Sequence, residues 1–295
     1  MAMQSSGLIK FSEIQTEFGG SNPIRMSEYF RGGAYTTTNN TNVPTSGRIA
    51  ISNFYGSTSQ FFVNITSNLT TPQNLRTLAV NAGWDEDAPL VFVIDSGVFI
   101  SSNTTATPAL TVDGEYANGV QLINNGIIVG MGGAGGDGIW YTGGGTPGAP
   151  GGGALFVSSL ISITNNGSIL GGGGGGAGGG GAGSGATGGN GGGGQSGLTN
   201  SPRAIGANTS DTATDGTYTS PGTGGSFGCY FNEAAQREIC GGIGGNGGAH
   251  GQPGQNSDGS SLPTSGAAGG AGGYAVTGDS NITWLATGTR AGLVS

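Results

Sequence analysis

From Gly171 to Gly181 the chain reads GGGGGGAGGGG, with the methyl of Ala177 as its only side chain. If such a stretch is ordered, backbone has to serve as its core. It sits in a wider bias: 53 of the 68 glycines lie between Gly130 and Tyr274, against a usual glycine share of about 7%. The other residues of that region keep a period of three. Met131, Ala134 and Asp137 are so spaced in GMGGAGGDG, as are Ile243, Asn246, Ala249 and Gln252 in GGIGGNGGAHGQ. Ser265, Ala268, Ala271 and Tyr274 repeat the pattern, and Thr187, Asn190 and Gly193 continue it.

A polyproline II type helix has three residues per turn and rises about 3.1 Å per residue, so each set falls in one row and two rows are left bare. Two bare rows require neighbours on two sides. A helix bare on all three rows, as Gly171 to Gly176 is, suits the interior of a packed array. Such helices have no internal hydrogen bonds, so their donors and acceptors must pair between helices, helped by weak Cα–H···O contacts. The rival reading is a flexible linker, favoured by the entropy glycine loses on ordering. The period and the returns to strand-like sequence argue for order.

Before Gly130 the composition is ordinary. Ser12 and Gln15 match a capping box for a helix ending by Gly19, and Asn22 with Pro23 opens a second helix closed by Gly32 and Gly33. RIAISNFYG, from Arg48 to Gly56, reads as a strand. This piece is too small to fold well alone and is expected to dock on another chain. FFVNITSNL from Phe61 is strand-like, and Thr71 and Pro72 predict a helix with Leu75, Leu78, Ala79 and Ala82 on one stripe, ended by Gly83. PLVFVIDSGVFI reads as a strand pair or one bent strand.

GVQLINNGIIVG and LISITNNGSILG predict hairpins at Asn125-Gly126 and Asn166-Gly167. YAVTGDSNITWLATG supplies closing strands, with Trp284 in the core. The expected fold class is therefore mixed: small N-terminal α+β modules, then β hairpins and a polyglycine II helix sandwich. The expected divisions are 1–57, a docking segment; 58–129, an α+β spacer; 130–275, the sandwich; and 276–295, a closing strand.

Several functions are disfavoured. A net charge of −8 with 8 Lys and Arg residues and no basic block argues against nucleic acid. No apolar run reaches the roughly 18 residues of a membrane span, and the N-terminus lacks the marks of a signal peptide. Asp85, Glu86 and Asp87 read as a solvated turn rather than a catalytic cluster. GGAGGDGIW satisfies a calcium-binding nonapeptide with Asp137 as ligand, but such sites need stacked copies and this motif stands alone. With no zinc spacing, Walker loop, nucleophile elbow or HExxH, neither enzyme, cofactor nor metal is expected. Cys229 and Cys240 close an eleven-residue interval and read either as a disulfide or as two free thiols.

If the glycine helices are a stiff scaffold, recognition falls to their connections. Those carry Trp140, Tyr141, Arg203, Ile205, Tyr218, Phe227, Tyr230, Phe231, Arg237 and His250, mostly the aromatic and arginine types that dominate interface energies. The set cannot all lie at one end, because connections between antiparallel helices alternate ends. Any one of these residues could equally cover an edge of the sandwich.

FSEIQTEFGGSNPIRMSEYFRGG with SGRIAISNFYG resembles a segment recurrent in tailed-bacteriophage tail proteins. NLRTLAVNAGWDEDAPLVFVIDSGVFI is similar to a module that precedes glycine-rich segments in phage tail fibre and tail-tip proteins. MGGAGGDG, GGIGGNGGAHG and AAGGAGGY, across 130–275, resemble the distal adhesins of long tail fibres in T-even-like phages, whose tip is a polyglycine II sandwich with variable loops. The family's fibre-attachment domain is not recognisable at the N-terminus, which suggests a different tail as carrier. The resemblance implies a virion tail protein made in the host cytoplasm. Residues 1–57 would dock on other phage tail proteins, and the loops would bind a host outer-surface protein or polysaccharide. The alternatives are a structural tail-tip subunit without receptor contact, an ice-binding face, for which the Ala268 and Ala271 row is too short, and a polysaccharide-cleaving enzyme.

Overall fold

Val120–Asn124 and Ile161–Asn165 alternate buried with half-buried residues, the period-two burial of strands with one face on a core. In the computed structural model, which describes residues 2–86, 88–183, 185–203, 212–262 and 264–295, these strands belong to a stack of parallel rungs. Asp87 and Ile205 lie outside the described residues. The first rung is β1 (Phe61–Ile65) and β2 (Gln73–Asn74), and the second is β3 (Leu90–Ile94), β4 (Phe99–Ser101) and β5 (Leu110–Val112). The third is β6 (Val120–Asn124), β7 (Ile127–Val129) and β8 (Leu155–Val157). The fourth has β9 (Ile161–Asn165) and β10 (Ser168–Leu170), then, far along the chain beyond the hairpin β11 (Cys229–Asn232) and β12 (Arg237–Cys240), β13 (Val276–Thr277). β14 (Ile282–Ala286) and β15 (Thr289–Ala291) close the stack.

Corresponding strands of successive rungs pair in parallel, giving three faces in the orders β1-β3-β6-β9-β14, β15-β10-β7-β4 and β13-β8-β5-β2. One core, including Phe61, Phe92, Leu110, Leu122, Ile163 and Val276, fills the space between the faces. Residues 58–129 and 276–295 therefore share sheets and core instead of forming a separate module and a closing strand.

The expected hairpins are corrected by the same topology. Asn125-Gly126 and Asn166-Gly167 are corners between faces, and none of the four residues has the positive φ that a type I′ turn requires. The corners are held by side chains: the Asn124 amide donates to Asn165 Oδ1 at 2.7 Å, and Asn165 Nδ2 donates to the Thr287 carbonyl at 2.7 Å. Glycine is needed because a Cβ on Gly167 would stand 2.0 Å from the Gly126 carbonyl oxygen of the rung below.

The N-terminal residues form their own core from Met3, Ile9, Ile14, Phe18, Tyr29, Val43 and Phe54. Helix α1 (Phe11–Phe18) starts before Ser12, and it is the Glu13 carboxylate that accepts from the Lys10 amide, at 2.7 Å. The expected second helix and strand are short 3₁₀ turns, Met26–Tyr29 and Ile51–Phe54. Segments this short do not propagate a helix; each serves to bury one ring, Tyr29 and Phe54, which meet edge to face at 6.2 Å. This unit joins the stack through Asn39 Nδ2 to the Phe62 carbonyl, 2.9 Å, and Ser59 N to Glu17 Oε1, 3.0 Å.

Helix α2 (Leu75–Asn81) is capped by Asn74, whose Oδ1 accepts from Thr77 N at 3.0 Å, and not by Thr71. It buries Leu75 and Ala79 as the stripe requires. Arg76 pairs with Glu86, and Asp85 Oδ1 accepts from Ala88 N at 3.2 Å, so two of the three acids serve the local turn. Trp284 is half-buried against the core, its Nε1 donating to Asp279 Oδ1 at 2.7 Å. No helix among the described residues is long and apolar enough to cross a membrane.

Candidate functional site

The glycine segments leave and rejoin the stack at one corner of two adjacent rungs, between β7 and β8 and between β10 and β13. Residues 171–181 run up their middle, fully buried. Their amides donate in rotation to three neighbours. Gly172, Gly175 and Gly178 bond the carbonyls of Gly152, Ala149 and Thr146; Gly173, Gly176 and Gly179 those of Gln195, Gly192 and Gly189; Gly174, Ala177 and Gly180 those of Gln252, Gln255 and Asp258. Their carbonyls accept from three other segments, including Gly133 and Gly136, Gly245 and Gly248, and Gly270 and Gly273. Six neighbours, each met every third residue, are what a strand of bare backbone can accommodate.

The outer rows are finished by side chains. In 144–154 one row of donors bonds Asp137, Ala134 and Met131, and a second bonds Ala268, Ala271 and Tyr274. The third row holds Pro147 and Pro150, which are exposed and have no donor to leave unpaired. Asn190, Asn246 and Asn256 accept from the amides of Gly138, Gly224 and Gly269 at 2.9, 2.7 and 3.0 Å. These structural asparagines were not singled out by sequence reasoning, although Asn190 and Asn246 stand in its period-three rows. A short acceptor side chain in such a row is the signal.

The connections divide between two ends. At the base, the turn after Gln195 rests on the stack, where a Cβ on Gly197 would meet Ser101 and Val129. Tyr218 packs edge-on against Phe99 of β4 at 4.9 Å and lies 5.4 Å from the His250 ring. His250 Nε2 is 3.2 Å from the Tyr218 carbonyl, and its amide donates to Gln195 Oε1 at 3.0 Å. Burial pushes the His250 imidazole below its ordinary pKa, with the Tyr218 carbonyl opposing part of the shift. Tyr218 and His250 therefore fasten the array to its base, away from any distal surface.

At the far end, Trp140 and Tyr141 occupy the turn that Gly143 fixes to Gly181 through an antiparallel bridge, and both are exposed. Beside them β11 and β12 form a hairpin. Tyr230 and Ile239 on its inner face pack with Ala182, Ala186 and Leu262, whereas Phe231 on its outer face is 58% exposed. Arg237 is exposed, paired across the hairpin with Asn232, and Phe227 is exposed just below. Ser261 ties the next turn to this hairpin, donating to the Cys240 carbonyl at 2.9 Å while its Oγ accepts from the Cys240 amide at 2.8 Å. Arg203 lies between the ends, its amide bonded to Asp215 Oδ1 at 3.0 Å. Six of the nine candidates within the described residues thus meet at one end.

Cys229 and Cys240, left open by the sequence, face each other across the hairpin and are disulfide-bonded. Asp137 is exposed on an outer row, its amide bonded to Thr146 Oγ1.

The crystal structure of the gp37-gp38 adhesin tip complex of the bacteriophage S16 long tail fiber contains a chain with the same fold. The TM-score is 0.56 at 24% identity, over 99% of this chain and 100% of that one. The likeness thus extends through the N-terminal residues, where sequence reasoning found a segment recurrent in phage tail proteins but did not recognise the adhesins' fibre-attachment domain. No curated protein matches the chain. The model of the family described as phage tail fibre adhesin Gp38 matches residues 60–295, the rung stack together with its glycine insertions, and the chain belongs to that family.

Proposed function

We propose that this chain is a receptor-binding adhesin of a phage virion tail, acting by binding alone, without cofactor or bond-making chemistry. In this reading the glycine segments are polyglycine II helices packed as a sandwich. Proline's fixed φ near −65° suits that helix, and no glycine from 130 to 182 has φ between +20° and +160°. The N-terminal unit docks on another tail protein, by analogy with the fibre-tip complex named above. The distal end faces the host and meets an outer-surface protein or polysaccharide. The observation that carries the reading is the convergence of Trp140, Tyr141, Phe227, Tyr230, Phe231 and Arg237 on the end farthest from the stack.

The test is binding of the fluorescently labelled full chain to intact host cells and to a resistant strain. Saturable binding to sensitive cells alone, lost when Trp140 and Phe231 are replaced by alanine, supports the reading. Absence of binding by a folded chain would move the distal loops to contacts with other virion proteins.

A further inference from the structure

The chain has two cysteines, and both stand where the distal hairpin leaves the array. Cys229 is the first residue of β11 and Cys240 the last of β12. Directly below them Gly241 N bonds the Gly228 carbonyl at 3.0 Å, and Gly228 N bonds Thr187 O at 2.8 Å, so the neck belongs to the array. Above them only three residue pairs, Tyr230 with Ile239, Phe231 with Glu238 and Asn232 with Arg237, hold the two strands together. One face of the hairpin is anchored by Tyr230 and Ile239; the other, with Phe231 and Glu238, is exposed. A two-stranded ribbon of this size is marginal in water.

We propose that the Cys229–Cys240 bond is a redox lock on the distal hairpin: chains with free thiols carry a frayed hairpin, and oxidised chains an ordered one. This rests on the receptor-binding reading only in its consequence, that the lock sets the shape of part of the binding surface. A reducing cytoplasm keeps both thiols free. Outside it, a low-molecular-weight disulfide is the oxidant. The Cys229 thiolate attacks one of its sulfurs and releases one small thiolate, and the Cys240 thiolate then displaces the second from the mixed disulfide. The two protons given up by the cysteines are taken up by the two released small thiolates, so one small disulfide is reduced to two thiols with no net release of protons.

The experiment uses the full chain in three forms: oxidised, reduced and alkylated, and with Cys229→Ser and Cys240→Ser together. Hydrogen exchange is followed by mass spectrometry, alongside binding to host cells. The expected result is at least about tenfold faster exchange of amides 230–239 in both thiol-blocked forms, with amides 171–181 as protected as before. The serine form controls for the bulk of the alkyl groups. Equal exchange of 230–239 in the oxidised and serine forms would overturn the lock. Faster exchange with unchanged cell binding would support the lock and remove the hairpin from the binding surface.

Discussion

A Cβ placed on Gly175 would stand 1.8 Å from the carbonyl oxygen of Ala134. Gly175 has neighbours on every side, and the atom it would strike is backbone already held in the array. Gly175→Ala is therefore expected to cost ~4 kcal/mol or more, at the extreme of single substitutions, and to abolish soluble expression or lower the melting temperature sharply. Gly143→Ala is the control, because its Cβ would meet only Ile139 Cγ2 at an ordinary 3.5 Å. It should stay within ~0.5 kcal/mol of the parent.

The buried asparagine ladder at the rung corners gives a second expectation. Asn165→Ala strips Asn124 of its side-chain acceptor and the Thr287 carbonyl of its donor, at a cost of about 2 kcal/mol in denaturant titration. Asn124→Ala should cost a similar amount, and the double variant less than the sum, since both act on one bond. Additive losses would contradict a shared ladder.

His250 makes stability depend on pH. Its folded pKa is lowered by burial, so the unfolded chain binds the proton more readily. The stabilisation is fully present above the unfolded value near 6.5 and is lost as the pH falls from there through the folded value. The melting temperature should decline over that window, and His250→Gln should flatten the decline. Since His250 is the chain's sole histidine, an unchanged slope in the variant would place the acid sensitivity elsewhere.

The two ends should respond differently to aromatic truncation. Trp140→Ala and Phe231→Ala remove exposed rings and should leave stability within ~0.5 kcal/mol while weakening cell binding by about 2 kcal/mol or more if they are hot spots. Tyr218→Ala opens the contact with Phe99 and His250 and should cost about 2–3 kcal/mol of stability. Intact binding by both tip variants would argue against recognition through these rings.

The glycine region was the most legible part of the sequence, because a period of three marks which rows of each segment are bare and must face neighbouring backbone. The rungs were less so. VQLIN and ISITN alternate identically whether their partners run parallel or antiparallel, and Asn-Gly serves a hairpin or a rung corner according to φ values that composition does not fix. Aromatic content picked out the loops, yet it could not separate Tyr230 from Tyr218. Their difference lies in contacts with Ala182 and Phe99, remote in the chain and visible only once the direction of every segment is known. The asparagines that accept backbone bonds were hidden by their small number, one per row.

Because the glycine segments depart from and return to the same corner of the stack, each excursion consists of as many homeward runs as outward ones, one of each between β7 and β8 and several of each between β10 and β13. Adding or deleting a single run would deliver the chain to the wrong end, with β8 or β13 stranded at the tip. Insertions compatible with the five rungs therefore obey a parity rule. Such an array can widen or narrow only two runs at a time, and each such step adds or removes a distal loop.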